Sequence, residues 1–420
     1  MLGGVTSVRR LRALLYGAVI VYGSLFPFTG WRAAPNGLLD FLTGLPDFRV
    51  HRADALTNVL AYIPLGLFLV RDGRSRPIRA VLFAALGGAA LSLTMEFLQQ
   101  FLPQRVASLQ DVATNAIGSL IGALVGVLTQ LDVPVMTRLA RWRGQAIVRG
   151  SGEEFGLLAV GLWALSQWAP FVPSLDVGEL RAHLSPLRHT LLDPARFDAW
   201  RFAIYSFNVS GLAYLARTVA RDRRFVLLFA ACAIIVVFGK VLFAGRSLSL
   251  EAAAGTLFAG LIALPAFALS SRHCAVLSAA LLLAGLAAAE LRSEPSGVFY
   301  AFTWIPFRAQ LENPLTGIAS LLETLWPAIA LSYLARFIAP SRERASVGWL
   351  GAVALSLYVF TLEWHQQFVR GRVGDVTSVL LIAATWGFCW IAMAEMRAPK
   401  TGIASTHGSY RRIPGQGDRT

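Results

Sequence analysis

Lysine is all but missing from this chain. Of its 38 basic residues only Lys240 and Lys400 are lysines, and charged residues of every kind make up 15% of the 420 positions. So little charge cannot clothe a soluble domain of this size, which excludes an ordinary water-soluble globule. Cysteine is also scarce. Cys232, Cys274 and Cys389 each sit inside an apolar run, where a thiol behaves as a small hydrophobe, so neither a disulfide framework nor a cysteine metal site is expected. The six histidines, His51, His183, His189, His273, His365 and His407, show no pair at metal spacing. A Walker loop, a glycine-rich dinucleotide turn and a serine-centred nucleophile elbow are all missing. No cofactor or metal is therefore expected, and nothing points to nucleic acid.

What the chain has instead is apolar length. Hydrophobic residues make up 55% of it, and runs long enough to cross a hydrocarbon layer of about 30 Å recur along it. They stand near 11–28, 55–70, 78–101, 109–130, 154–172, 200–219, 225–244, 250–271, 274–291, 315–338, 347–369 and 376–395. This pattern predicts an all-α, polytopic transmembrane bundle of twelve spans. Arg9, Arg10 and Arg12 precede the first run as they would in a signal peptide, but no small-residue cleavage site follows Phe26-Pro27-Phe28, so an anchored helix is expected. With the N-terminus inside, 24 of the 38 basic residues fall in the inner segments and 13 in the outer loops. Arginine enrichment of inner loops then places both termini in the cytoplasm, in the plasma (inner) membrane of a bacterium. The glycine-, serine- and arginine-rich stretch 398–420 reads as a disordered cytoplasmic tail.

Within this apolar background one polar stretch occurs twice. Thr94-Met-Glu-Phe-Leu-Gln-Gln-Phe-Leu-Pro-Gln-Arg-Val106 returns as Thr361-Leu-Glu-Trp-His-Gln-Gln-Phe-Val-Arg-Gly-Arg-Val373, with Thr, Glu, both Gln, Phe, Arg and Val at the same offsets. Such self-similarity marks internal repetition. Pro27-Phe28, Pro170-Phe171 and Pro306-Phe307, with Tyr214-Leu-Ala-Arg217, Tyr333-Leu-Ala-Arg336 and Phe68-Leu-Val-Arg71, extend it to three four-helix units: 1–135, 150–272 and 273–397. Aligning Arg246 on Arg105 puts Val237, Lys240 and Ala252 at the places of Glu96, Gln99 and Asp111. The middle unit has thus lost the polar set and reads as degenerate.

Charged and amide side chains at membrane depth are costly and point to function by default. In the first unit Glu96, Gln99 and Gln100 end the third run, Arg105 follows in the outer loop, and Asp111 and Asn115 open the fourth run as Asp54 and Asn58 open the second. All face the outer layer. In the third unit Glu363, Gln366, Gln367, Arg372 and Asp375 repeat the pattern, although the aspartate follows its arginine by three positions instead of six. Glu323 lies deeper and has no first-unit equivalent. Structural alternatives stand beside the functional one: Asp111 and Asp54 as helix N-caps, Glu96 with Arg105 as a structural ion pair, the glutamines as interhelical hydrogen-bonders, Lys240 as a snorkelling or paired cation.

The order Asn58-Val-Leu-x-x-Ile-Pro64-Leu-Gly66, Glu96-x-x-Gln99, Arg105 and Asp111-Val-x-x-Asn115-x-x-Gly118 resembles the VanZ-like family. The likeness is specific in 11–130, shortened in 273–395 and only architectural in 150–272. It implies a four-helix membrane domain of the cell envelope, with a founding member associated with resistance to the glycopeptide teicoplanin, and with Asn58, Glu96, Gln99, Arg105, Asp111 and Asn115 as the family residues. Three functions remain open on the residues. The outer polar pocket binds a membrane lipid, a lipid-linked envelope precursor or a glycopeptide; or Glu96 or Asp111 serves a membrane enzyme as general acid or base; or the repeats form a transporter.

Overall fold

The computed structural model describes residues 2–26, 28–33, 52–70, 76–103, 105–131, 147, 152–169, 177–220, 224–243, 245–294, 297–312, 314–339 and 344–395. The tail 398–420 and the linkers 71–75, 132–146, 221–223 and 340–343 lie outside the described residues. Among those described, the fold is helical, and β-type pairing is confined to isolated bridges such as Thr303 with Asp375. In the first unit α1 is Leu2–Leu25, α2 Arg52–Leu69, α3 Pro77–Gln99 and α4 Leu109–Leu128. Next come α5 Glu153–Ser166, α6 Val177–Leu192, α7 Ala199–Val219, α8 Arg224–Leu242 and α9 Leu250–Ile262. The remainder is α10 Ser271–Glu290, α11 Arg308–Glu312, α12 Pro314–Ile338, α13 Arg344–Gln366 and α14 Val376–Glu395.

A helix stands at each of the twelve expected runs. Among the described residues eight helical stretches are long and apolar enough to cross a membrane, and they lie in α3, α4, α8, α9 with its 3-10 continuation, α10, α12, α13 and α14. The apolar parts of α1 and α2, Tyr16–Leu25 and Ala55–Leu69, are shorter. Two helices, α6 and the five-residue α11, stand outside the expected runs. Helix α6 carries Pro186 inside it and mixes apolar with charged and polar residues, and it is tied down by His183, whose Nδ1 lies 2.8 Å from the Val241 carbonyl. A carbonyl can only accept, so Nδ1 is the donor there.

The tightest joint in the first unit is α2 against α4. A Cβ at Gly66 would run into the Ser119 carbonyl, one at Gly118 into the Val59 carbonyl, and one at Gly122 into the Ile63 carbonyl. Small residues at this spacing let two membrane helices touch backbone to backbone, where dispersion and not water exclusion provides the attraction. Gly66 and Gly118 of the sequence motif are therefore packing residues, and they fix the face of α4 on which Asn115 and Ser119 sit.

The second and third units share one core. Val160, Trp163, Leu212 and Leu215 are buried together with Leu282, Trp326, Tyr333 and Ile382, and the contact is reciprocal: α5 lies along α12 while α10 lies along α7. Ser278 Oγ donates to the Gly211 carbonyl at 2.7 Å, and Tyr333 OH donates to the Thr218 carbonyl at 3.3 Å. The first unit keeps separate small cores and meets the third near the end of α1, where Tyr22 OH donates to the Pro306 carbonyl at 2.9 Å. Rings of Phe302, Trp304, Phe360 and Trp364 cluster on that same side, as an aromatic belt at a membrane surface would.

Candidate functional site

The polar helix ends are held by a joint that occurs twice in full. In the first unit Glu96, buried near the end of α3, accepts through Oε2 from the Ser108 amide at 2.9 Å. Ser108 is the N-cap of α4, its Oγ accepting from the Gln110 amide at 3.1 Å. In the third unit Glu363 Oε2 accepts from the Asp375 amide at 3.0 Å. Asp375 caps α14 in turn, Oδ1 accepting from the amides of Thr377 at 2.6 Å and Ser378 at 3.3 Å. A carboxyl oxygen on one helix thus takes up the amide of the next helix's cap residue, a bond that fixes the hairpin. Asp375 is consequently the counterpart of Ser108, and Ser378 stands where Asp111 stands in the first unit. That accounts for the altered spacing in the sequence.

Each unit then uses one arginine to close its first helix. Arg105 Nη2 donates to the carbonyls of Gly23 at 3.1 Å and Phe26 at 3.4 Å. Arg246 donates through Nη2 to Ser166 at 3.0 Å and through Nε to Ala169. Arg372 donates through Nη2 to Ala289 at 2.5 Å and through Nε to Arg292 at 2.9 Å. The last carbonyls of a helix have no partner within it, and a guanidinium satisfies two while meeting the negative end of the dipole. Burial pulls the Arg105 guanidinium below its usual range, an effect that nearby Glu96 opposes. The middle unit retains this arginine and the capping serine, since Ser249 Oγ accepts from the Ala252 amide at 3.2 Å, and has Val237 in place of the glutamate. This register sets Pro170-Phe171 opposite Pro27-Phe28 but places Ser293-Glu294 there in the third unit, so Pro306-Phe307 is not an aligned landmark.

The glutamines separate. Gln99 Nε2 donates to the Ser24 carbonyl at 2.9 Å and Gln366 Nε2 to Glu290 Oε2 at 2.6 Å. Gln100 and Gln367 instead turn back on their own chain, to the carbonyls of Phe97 and Trp364. Gln100 stands apart from Gln99 because α3 ends at Gln99 and Gln100 is its C-cap. His365 is exposed and packs on Phe368, turned away from Glu363. Asn58 is half-buried on α2. The side chain of Asp54 lies outside the described residues.

Behind the joint of the first unit runs a polar seam that the charge pattern did not announce. Asn115 Nδ2 donates to Ser92 Oγ at 2.9 Å. Tyr62 lies beside Ser92 and within electrostatic reach of Glu96, as Asp111 and Arg105 also do. The Tyr62 hydroxyl, Asn115 Oδ1 and Ser119 Oγ are buried without a protein hydrogen-bond partner. Buried polar atoms are nearly always paired, so three such atoms on neighbouring helices ask for a partner. Serine and tyrosine inside an apolar helix are unremarkable in sequence, which is why Tyr62, Ser92 and Ser119 were missed.

A family model described as VanZ-LLP1: VanZ/LLP1 matches residues 11–130, which carry this joint and seam. No curated protein and no solved structure matches the chain.

Proposed function

We propose that the chain is a twelve-span inner-membrane protein of a bacterium with both termini cytoplasmic, built as three four-helix units, 1–135, 150–272 and 273–397. In this reading the first unit binds an envelope component, a polyprenyl-linked precursor or a glycopeptide of the teicoplanin kind, in its outward polar layer. The carrying observation is the seam itself. The Tyr62, Asn115 and Ser119 atoms that have no hydrogen-bond partner offer two hydroxyl donors and several acceptors, with Tyr62 within electrostatic reach of Glu96. Hydrogen bonds of this kind select amide, hydroxyl and phosphate groups over hydrocarbon. The arginine caps and cap residues recurring in all three units support the repeat reading, and the middle unit serves as scaffold.

The test uses a photoreactive polyprenyl diphosphate on purified full-length protein in lipid. Wild type and Gln100→Ala, whose side chain serves only its own helix end, are expected to label. Asn115→Leu is expected to lose labelling. Equal labelling of Asn115→Leu and wild type removes the first unit's seam as the site. Orientation is tested separately: a cysteine at exposed Val106 should react with an impermeant thiol reagent in intact cells, and one at Arg344 should not.

A further inference from the structure

One face of α8 borders open space along most of its length. Leu228, Phe229, Cys232 and Ala233 line a narrow cavity against α5 and α7, and Ala233, Val236, Val237 and Lys240 line a second against α5, α7 and α9. The two cavities share Trp163 and Ala233 as wall residues. Positions 228, 229, 232, 233, 236, 237 and 240 advance by alternating steps of one and three, the spacing of a single helix face. Both cavities therefore follow one stripe of α8, which runs about 18 Å from Leu228 to Lys240 at about 1.5 Å per residue. Leu228, Phe229, Cys232 and Ala233 are only half-buried although this stripe faces the bundle, and α8 is the least buried of the eight helical stretches able to span a membrane. Where α2 and α4 touch backbone to backbone, α8 leaves a groove.

The stripe is apolar except at one end. There Lys240, 5% exposed, donates from Nζ to Tyr205 OH at 3.0 Å and lies 5.2 Å from the centre of that ring. This bond uses one of three ammonium hydrogens, and because the phenol oxygen accepts it, the hydroxyl keeps its own hydrogen to donate. Among the described residues the ion pairs join His183 to Glu179, Arg196 to Asp193, Arg292 to Asp198 and Arg308 to Glu312. Glu323 lies within electrostatic reach of Lys240 but makes no ion pair with it. A buried cation that no carboxylate touches is costly, so the ligand complementary to this end of the groove is an anion. In the register that sets Arg246 on Arg105, Lys240 stands where Gln99 closes on the Ser24 carbonyl. The middle unit thus puts a cation at the head of an apolar groove where the first unit has a neutral amide.

We propose that the groove beneath α8 binds a free fatty acid, with its carboxylate on Lys240 Nζ and Tyr205 OH and its single alkyl chain along the apolar stripe towards Leu228. Two donors 3.0 Å apart suit the two oxygens of one carboxylate. Lys240 stands close to the end of α8 at Leu242, so the head lies near a membrane surface and the chain points to the bilayer middle, whichever way the helix is oriented. The stripe, about 18 Å long, is close to half of a hydrocarbon layer of about 30 Å. A groove one helix face wide takes one chain, where a phospholipid brings two. This site is independent of the seam in the first unit, for which the middle unit is only scaffold.

Full-length protein in lipid is irradiated with palmitate carrying a diazirine at the end of its chain, and the adducts are mapped by peptide mass spectrometry. Adducts are expected around Leu228 and Phe229 of α8 and Leu212 of α7, which line the apolar cavity, and unlabelled palmitate should suppress them. Hexadecanol, which has the chain without the charge, should compete about tenfold less well, the size of one charge-assisted hydrogen bond. Acetate, which has the charge without the chain, should not compete. Lys240→Met should cut labelling about tenfold, while Lys240→Arg, which keeps the charge, should retain it and so exclude misfolding as the cause. Ala233→Phe fills the place where the two cavities meet and should abolish these adducts at wild-type melting temperature with Lys240 untouched. Competition by hexadecanol or phosphatidylglycerol equal to that of palmitate, or unchanged labelling in Lys240→Met or Ala233→Phe, overturns the proposal. Asn115→Leu should leave palmitate labelling intact, so failure here and failure of the polyprenyl reading are told apart.

Discussion

Glu363 holds the amide of Asp375 at 3.0 Å, and through that bond the third unit reproduces the first with a different cap residue. Asp375 is buried, its Oδ1 receives two amides of α14, and its Oδ2 receives Gln310 Nε2 at 3.2 Å. The carboxylate of Asp375 is thus an N-cap first, and its substitution pattern should follow cap rules.

Asp375→Ala should lower stability by roughly 1–2 kcal/mol, the usual cost of losing an N-cap. Asp375→Ser restores the residue type found at Ser108 and Ser249, keeps the cap and loses only the bond from Gln310, so its melting temperature in detergent should lie between alanine and wild type. A serine variant no better than alanine would show that the cap is not what Asp375 provides.

The α2–α4 joint predicts a second contrast. Gly122→Ala places a methyl against the Ile63 carbonyl, a backbone atom that cannot turn aside, whereas Gly161→Ala on α5 meets open space. Overpacking of that kind costs about 1–3 kcal/mol or more. Replacing a helical glycine where there is room stabilises by roughly 0.5–1 kcal/mol. Thermal unfolding of the two variants should therefore shift in opposite directions, and a tolerated Gly122→Ala would contradict the close approach.

Helix positions were legible in the sequence because apolar length is a local property, and the twelve runs predict helices without knowledge of their neighbours. The arginine caps were not legible. Arg105, Arg246 and Arg372 share an offset from the capping residue, but their partners are carbonyls, which carry no sequence signal. The same reason hid the equivalence of Ser108 and Asp375: serine and aspartate perform one geometric task with different chemistry. Helix α6 was missed because apolar length was the signal read: its leucines recur at helical spacing, but Glu179, Arg181, His183, Pro186 and Arg188 interrupt them in sixteen residues. The polar seam was half visible. Glu96 and Asn115 stand out in an apolar chain, whereas Tyr62, Ser92 and Ser119 do not.

The contact of Asp198 with Arg292, between α7 and the chain after α10, should depend on pH. Burial alone would raise the Asp198 carboxyl, but the Arg201 amide and the Arg292 guanidinium outweigh it and hold the group below its ordinary value. Asp198 also caps α7 and pairs with Arg292 at 2.8 Å. A carboxylate depressed in the folded state contributes stability that is present above its unfolded value of about 3.9 and is lost as pH falls through the lower folded value. The pair is about one-third exposed, so the contribution should stay near or below about 1 kcal/mol. Asp198→Asn should accordingly melt below wild type at pH 7, with the difference narrowing below pH 4. A constant difference across that range would remove the ionised carboxylate as the cause.

Glu96 and Arg105 give the sharpest separation of scaffold from site. Glu96→Gln keeps a carbonyl oxygen able to accept from the Ser108 amide, so the α3–α4 joint should survive and abundance should be unchanged. Arg105→Gln removes the guanidinium that serves the carbonyls of Gly23 and Phe26. Loss of those charge-assisted bonds should cost roughly 2–3 kcal/mol and lower abundance. Because the bonds of Arg105 go to backbone and not to Glu96, the double variant Glu96→Gln with Arg105→Gln should be no more stable than Arg105→Gln alone. Recovery of stability in the double variant would instead mean that the two charges mainly neutralise each other. Labelling by the polyprenyl probe is the second readout. If the charge of Glu96 serves ligand binding, Glu96→Gln should label weakly at normal abundance, while Val237→Ala, at the corresponding place in the middle unit and exposed there, should label like wild type. Full labelling of Glu96→Gln would reduce Glu96 to the hydrogen bond it makes with Ser108.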